Sequence, residues 1–151
     1  RLVNIGIGYT LPFKLVAAPW IDADLFAKKL NDQKFPGVHF QPIHYKPMYG
    51  RCAKEECHGV LIVVTDPSIY KPVSTQYLLI GILKALYPKQ FMEALLQLRS
   101  RADLFTKVNG TPEVFRILEL NQPVVWPLRA LHEKERQLFL QKRKKALLPD
   151  Y

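Results

Sequence analysis

The chain has 151 residues, 48% hydrophobic and 23% charged, with a formal net charge of +9. This length predicts one domain over residues 1–151, and the apolar share predicts a sizeable core; the ordinary charged share excludes a disordered chain. No apolar run approaches the ~20 residues of a membrane-spanning helix, so no transmembrane segment is expected.

The sequence opens mid-pattern on Arg1, not on Met. The expectation is a piece of a longer chain, and any export signal would then lie outside it. The basic excess gathers in Lys142-Arg143-Lys144-Lys145. No zinc-finger spacing, RNA-binding signature or Gly-rich phosphate loop accompanies it, so nucleic acid is not an expected partner. Two readings stay open: a solvated helix face, or a weak patch for a polyanionic surface.

Leu2 to Gly8 reads as a first strand whose glycines mark a bulge or a close backbone approach. Tyr9 to Pro12 follow as a turn. Phe13 to Ala18 read as a second strand, stopped by Pro19. Asp22 is placed to cap a helix over Ala23 to Asn31, with Leu25, Phe26 and Leu30 on its inner side. Val38 to Tyr45 alternates loosely around Pro42, which demotes it to an edge or bent strand. The stretch Cys52 to Asp66 carries a charged loop with two cysteines into the apolar run Val60 to Val64. That run reads as a buried strand with Cys57-His58 at one end and Thr65-Asp66 at the other. The C-x4-C spacing of Cys52 and Cys57 is compatible with free thiols or a small disulfide loop. It is a poor metal signal, because no second ligand pair follows, so no metal and no cofactor are expected.

Helices dominate from there. Ser74 or Thr75 is placed to cap one over Gln76 to Tyr87, with Leu78, Leu79, Ile82, Leu83 and Leu86 facing the core and Pro88 ending it. Weaker signals mark Gln90 to Leu98 and Ala102 to Val108, the latter ended by Asn109-Gly110. Thr111-Pro112-Glu113 opens another helix. A last helix is expected from about Pro127 to Lys145, with Leu128, Leu131, Leu138 and Phe139 as its apolar stripe. Strands first and helices after predict α+β: a small, mostly antiparallel sheet or partial barrel packed with helices, the C-terminal half helical.

Five stretches occur in order: GIGYTLPFKLVAAPWID (Gly6 to Asp22), FPGVHFQPIHYKP (Phe35 to Pro47), CHGVLIVVTD (Cys57 to Asp66), YKPVSTQYLLIGILKALYP (Tyr70 to Pro88) and the closing Arg-rich helix. This set resembles the C-terminal domain of the DUF1343 family, the NamZ-like exo-β-N-acetylmuramidases. The resemblance implies a two-domain bacterial glycoside hydrolase with a Rossmann-like domain first. An active site in the cleft between the domains would remove terminal N-acetylmuramic acid from peptidoglycan fragments. The partners implied are a peptidoglycan-derived sugar (MurNAc-GlcNAc) and the N-terminal domain of the same chain, with the whole protein exported to the periplasm or cell surface. The family often has Gly-Arg-Gly-Thr and Pro-Phe-Glu where this chain has Gly6-Ile7-Gly8-Tyr9 and Pro12-Phe13-Lys14. An arginine and an acid are therefore replaced on the edge expected to face the sugar.

Most glycosidases flank the scissile bond with two carboxyl groups. The acids open to that role are Asp22, Asp66, Glu55 and Glu56. Each also has a structural reading: helix cap for Asp22, turn residue for Asp66, solvated loop for the glutamates. No two form a signature at fixed spacing, so the main catalytic acid is expected in the N-terminal domain. His58 joins Asp22 and Asp66 as a catalytic candidate, since its imidazole is suited to orienting a carboxylate; for substrate contacts, His58 and His44 offer imidazole hydrogen bonds and Trp20 a stacking plane. Tyr9 and Thr10 follow the glycines, which would admit a ligand closely. Packing accounts for each of these residues as well. The rival function is a non-catalytic basic binding module.

Overall fold

The structure, a computed structural model, describes residues 3–120 and 123–148. Its elements run β1 (Leu15–Ala18), α1 (Ala23–Asn31), β2 (Val38–Tyr45), β3 (Cys57–Val64), α2 (Pro72–Leu86), α3 (Pro88–Leu98), α4 (Ala102–Asn109), α5 (Glu113–Leu120), α6 (Val125–Ala130) and α7 (Glu133–Arg143). The strands make one antiparallel sheet in the order β1-β3-β2. The expected α+β class holds, with β1 and β2 as the edge strands of this order. No helix among the described residues is long and apolar enough to cross a membrane.

The central strand is the apolar run picked out in the sequence. Leu61 pairs with Leu15 on one side and Gln41 on the other. Alternation gives the two faces of β3 different jobs. Val60 and Ile62 join Val16, Phe40, Phe26, Leu30, Leu78 and Leu83 in the main core under the helices. Cys57 and Leu61 face the other way. There they meet Leu15, Ala17 and Tyr45 in a smaller cluster. Phe26 and Phe40 are fully buried in the main core, where truncation of such a ring to Ala costs about 3–5 kcal/mol.

Pro42 sits inside β2 without penalty because of which way its neighbours point. Phe40, two residues earlier, has its N–H and C=O bonded to the Asn31 side chain at the end of α1 (3.0 and 2.8 Å), away from β3. Pro42 shares that outward orientation, so its absent N–H falls on the side where no ladder bond is due.

Four expectations are corrected. Leu2 lies outside the described residues, and the rest of the first segment is not a strand. Asn4 alone bridges Ala17, and Gly6 and Gly8 turn the chain at φ 84° and 85°. In α1, Phe26 and Leu30 are buried as expected, but Leu25 is exposed; Ala27 takes the inner position. Helix α2 starts at Pro72, before the expected caps, because proline suits the first turn. Thr75 is buried inside it, its hydroxyl bonded to the Lys71 carbonyl at 3.0 Å. The last helix is two helices. His132 at φ 55° breaks it between α6 and α7. Leu128 is buried, whereas Leu138 and Phe139 are exposed, and α7 buries no residue.

Candidate functional site

At the start of β3 the ladder sets His58 opposite His44 on β2 and beside Ala18 on β1. The two rings meet edge to face, with Nδ1 of one 2.7 Å from Nδ1 of the other. One ring supplies the N–H of that contact and the other the lone pair. His44 is exposed and His58 partly so, which leaves imidazole edges available to hydroxyl or amide groups. Both lie on the helix-covered face by strand alternation, just past the main core.

From Ala18 the chain turns at this same end of the sheet, through Trp20 and Asp22 into α1. Trp20 packs against the core and meets the Tyr87 ring edge-on at 5.2 Å. The Asp22 N–H donates to the Tyr87 hydroxyl at 2.8 Å. Burial raises the pKa of that phenol. The Asp22 carboxylate accepts from the Leu25 N–H at 2.9 Å, so it caps α1 as the sequence implied.

Tyr9 lies on the opposite face of the sheet from the histidine pair. Its ring packs on Tyr45 at 4.7 Å, and the Tyr45 hydroxyl donates to Asn4 Oδ1 at 2.8 Å. Burial pushes the Tyr45 phenol up to about 12. Thr10 is exposed in the neighbouring turn. The close approach at Gly6 and Gly8 is between backbones. A Cβ at Gly6 would strike the Leu11 carbonyl, and one at Gly8 the Tyr49 carbonyl.

Asp66 sits at the far end of β3. Its carboxylate accepts from the Ser68 N–H (2.9 Å) and hydroxyl (2.6 Å), and these bonds hold its pKa below the usual carboxylate value. Eight residues of extended chain separate His58 from Asp66, about 26 Å at ~3.3 Å per residue. Paired glycosidase carboxyls stand about 5–9.5 Å apart. Asp22 and Asp66, at opposite ends of the sheet, are not such a pair.

Sequence reasoning missed two features. Asn4 is buried and is the brace of the whole N-terminal turn: Nδ2 donates to Ile7 and Arg51 carbonyls (3.1 and 2.7 Å), and Oδ1 accepts from the Gly6 N–H (2.7 Å). A lone Asn in an apolar stretch was the available signal. The second is a concavity of about 480 Å³ toward the Asp66 end, with Tyr70, Lys71, Tyr77, Asn109, Arg129 and His132 in its lining. These residues come from three separated segments, so no local motif marks it. Among the described residues, no group of three or more His, Cys, Asp or Glu is placed to hold a metal ion.

The comparisons with known proteins agree with one another. The family model described as "Exo-beta-N-acetylmuramidase NamZ, C-terminal" matches residues 1–148. The chain is 32% identical over 146 residues to the peptidoglycan beta-N-acetylmuramidase NamZ of Bacillus subtilis (strain 168). That match covers 97% of this chain and 34% of the relative. The chain therefore spans about a third of the length of the curated relative it matches. The crystal structure of a DUF1343 family protein from Bacteroides fragilis NCTC 9343 superposes with a TM-score of 0.85 at 30% identity. It is matched over 97% of this chain and 38% of that one. On a match that spans nearly its whole length, this chain belongs to the family of NamZ C-terminal domains.

Proposed function

We propose that this chain is the second domain of an exported, two-domain exo-β-N-acetylmuramidase, and that it forms one wall of the cleft between the domains. The substrate class is a peptidoglycan fragment ending in N-acetylmuramic acid. The family match over residues 1–148 carries this reading. The chemistry supports a division of labour. Asp22 caps a helix and Asp66 holds a turn at the other end of the sheet, so neither is free as half of a carboxyl pair. The main acid then belongs to the N-terminal, Rossmann-like domain. Here His44, His58 and Trp20 are the groups best placed to meet sugar substituents, because they share one end of the sheet.

The test is release of N-acetylmuramic acid from a muramyl-glucosaminide by this chain and by the full-length protein. Activity is expected only in the longer protein, and Asp22→Asn and Asp66→Asn should leave it intact there. Turnover by this chain alone, or its abolition in the full-length protein by either substitution with the fold retained, overturns the reading.

A second reading, a basic binding module, draws on the concavity that Lys71 and Arg129 help to line. Muropeptide binding by the full-length protein without turnover would favour it.

A further inference from the structure

The smaller cluster behind the sheet contains both cysteines of the chain. Cys57 opens β3 and is fully buried against Leu15, Ala17 and Tyr45. Cys52 packs on the same cluster from the loop before it, half-exposed. Five residues of extended chain would set their Cα atoms about 17 Å apart. The loop does not run extended. Cys52 and Lys54 take left-handed φ values of 58° and 65°. The Glu55 N–H returns to the Cys52 carbonyl (3.0 Å), and the Lys54 N–H reaches the Pro47 carbonyl (2.8 Å). These turns fold the loop back on the sheet, so that Cys52 packs on the cluster that holds Cys57.

We propose that Cys52 and Cys57 are an oxidation site that closes to an intrachain disulfide by exchange with a small-molecule disulfide such as oxidised glutathione. Metal binding is the other use of two adjacent thiols, and the surroundings disfavour it. Two sulfurs are too few ligands, and among the described residues no third His, Cys, Asp or Glu joins them. The order of attack follows from exposure. Cys52, open to solvent, attacks as the thiolate; the S–S bond of oxidised glutathione breaks, and one glutathione leaves with Cys52's proton. Cys57 then gives up its proton and attacks Cys52 Sγ, expelling the second glutathione, which takes that proton. Two protein thiols are oxidised and one disulfide is reduced to two glutathione thiols. Burial and the neighbouring Cys52 push the Cys57 thiol up to about 12, so this second step is the slow one.

The bridge would pin the loop that holds the N-terminal turn. The Arg51 carbonyl accepts from Asn4, and the Met48 N–H donates to the Gly8 carbonyl at 2.8 Å. Fixing Cys52 therefore also fixes the platform that presents Tyr9.

The experiment uses the full-length protein, equilibrated with oxidised glutathione, alkylated and digested with trypsin without reductant. Trypsin cuts after Lys54, between the cysteines, so their peptides stay together only if bridged. The expected product is the joined pair, lighter than its parts by a pair of hydrogens and separated by dithiothreitol. Oxidised protein should also melt roughly 2–3 °C above reduced protein. In Cys52→Ser, which leaves the buried Cys57 in place, that gap should vanish. Separate peptides after equilibration, with Cys52 alkylated or held as the glutathione adduct, overturn the proposal. An equal melting gap in Cys52→Ser does so as well.

Discussion

Replacing Asn4 with Ala tests what holds the N-terminal turn to the sheet. The side chain makes four hydrogen bonds, to Gly6, Ile7, Arg51 and Tyr45, while its residue is only 2% exposed. Its removal strands the Tyr45 hydroxyl and the Arg51 carbonyl in a poorly hydrated site. Each unsatisfied buried group costs about 1–3 kcal/mol. Water entering the space left behind recovers part of this, so the expected loss is about 2–4 kcal/mol. At this chain size that is a drop of roughly 10 °C in Tm. Tyr45→Phe removes one hydroxyl and leaves Oδ1 its bond from Gly6, so it should cost about 1 kcal/mol. The double variant should lose less than the sum, with a coupling of about 1 kcal/mol. Urea unfolding followed by far-UV circular dichroism gives all three values. A loss below about 1 kcal/mol for Asn4→Ala, or strict additivity, would show that the turn holds without this brace.

Three other outcomes are expected. Asp22→Ala should cost about 1 kcal/mol through its lost cap and Asp22→Asn almost nothing, since both oxygens serve a cap equally; equal losses in urea unfolding would contradict the capping role. Gly81 lies where α2 meets α6, and a Cβ there would strike the Val125 side chain. Gly81→Ala should therefore destabilise by about 1–3 kcal/mol, and Val125→Ala in the same chain should restore part of it; a neutral Gly81→Ala would refute the close approach. Tyr45 and Cys57 both hold their protons more tightly folded than unfolded, with pKa values raised from 10.0 and 9.0 to about 12. Their contribution is complete below pH 9 and is lost as pH rises toward 12, so the urea midpoint should fall across that interval. Tyr45→Phe should flatten the upper part of the fall, and a flat midpoint in the native protein would argue against burial of these groups.

Much of this fold is legible in local chemistry. The Val60 to Val64 run, the Asp22 cap and the Pro42 edge strand each depend on near neighbours, and each stands where the sequence placed it. Misreadings arise where distant contacts decide. The apolar spacing of Leu2 to Gly8 matches a strand, yet from Asn4 to Gly8 the Asn4 side chain and two left-handed glycines, pressed against other backbone where no Cβ fits, turn the chain. Leu138 and Phe139 have a core-like spacing, but the break at His132 carries α7 away from the core. The candidate site divides along the same line. A strand register makes His44 and His58 neighbours, and no spacing rule in the sequence gives that register. Tyr9 and His58 looked alike as ligand contacts, but Tyr9 packs on Tyr45, which alternation along β2 puts on the face opposite His44 and His58.

The outer side of Phe40 on β2 is closed by the Asn31 amide. On β1, the N–H and C=O of Ala17 are taken by the backbone of Asn4. Both flanks of a three-stranded sheet are thus sealed by the chain's own polar groups at their midpoints. A partner cannot extend this sheet by adding a strand there. Association with another domain, or with a second copy, must instead use side-chain surfaces, which are selective in a way that backbone pairing is not. The same seals keep the edge strands β1 and β2 from templating aggregation if the chain is made apart from its neighbours.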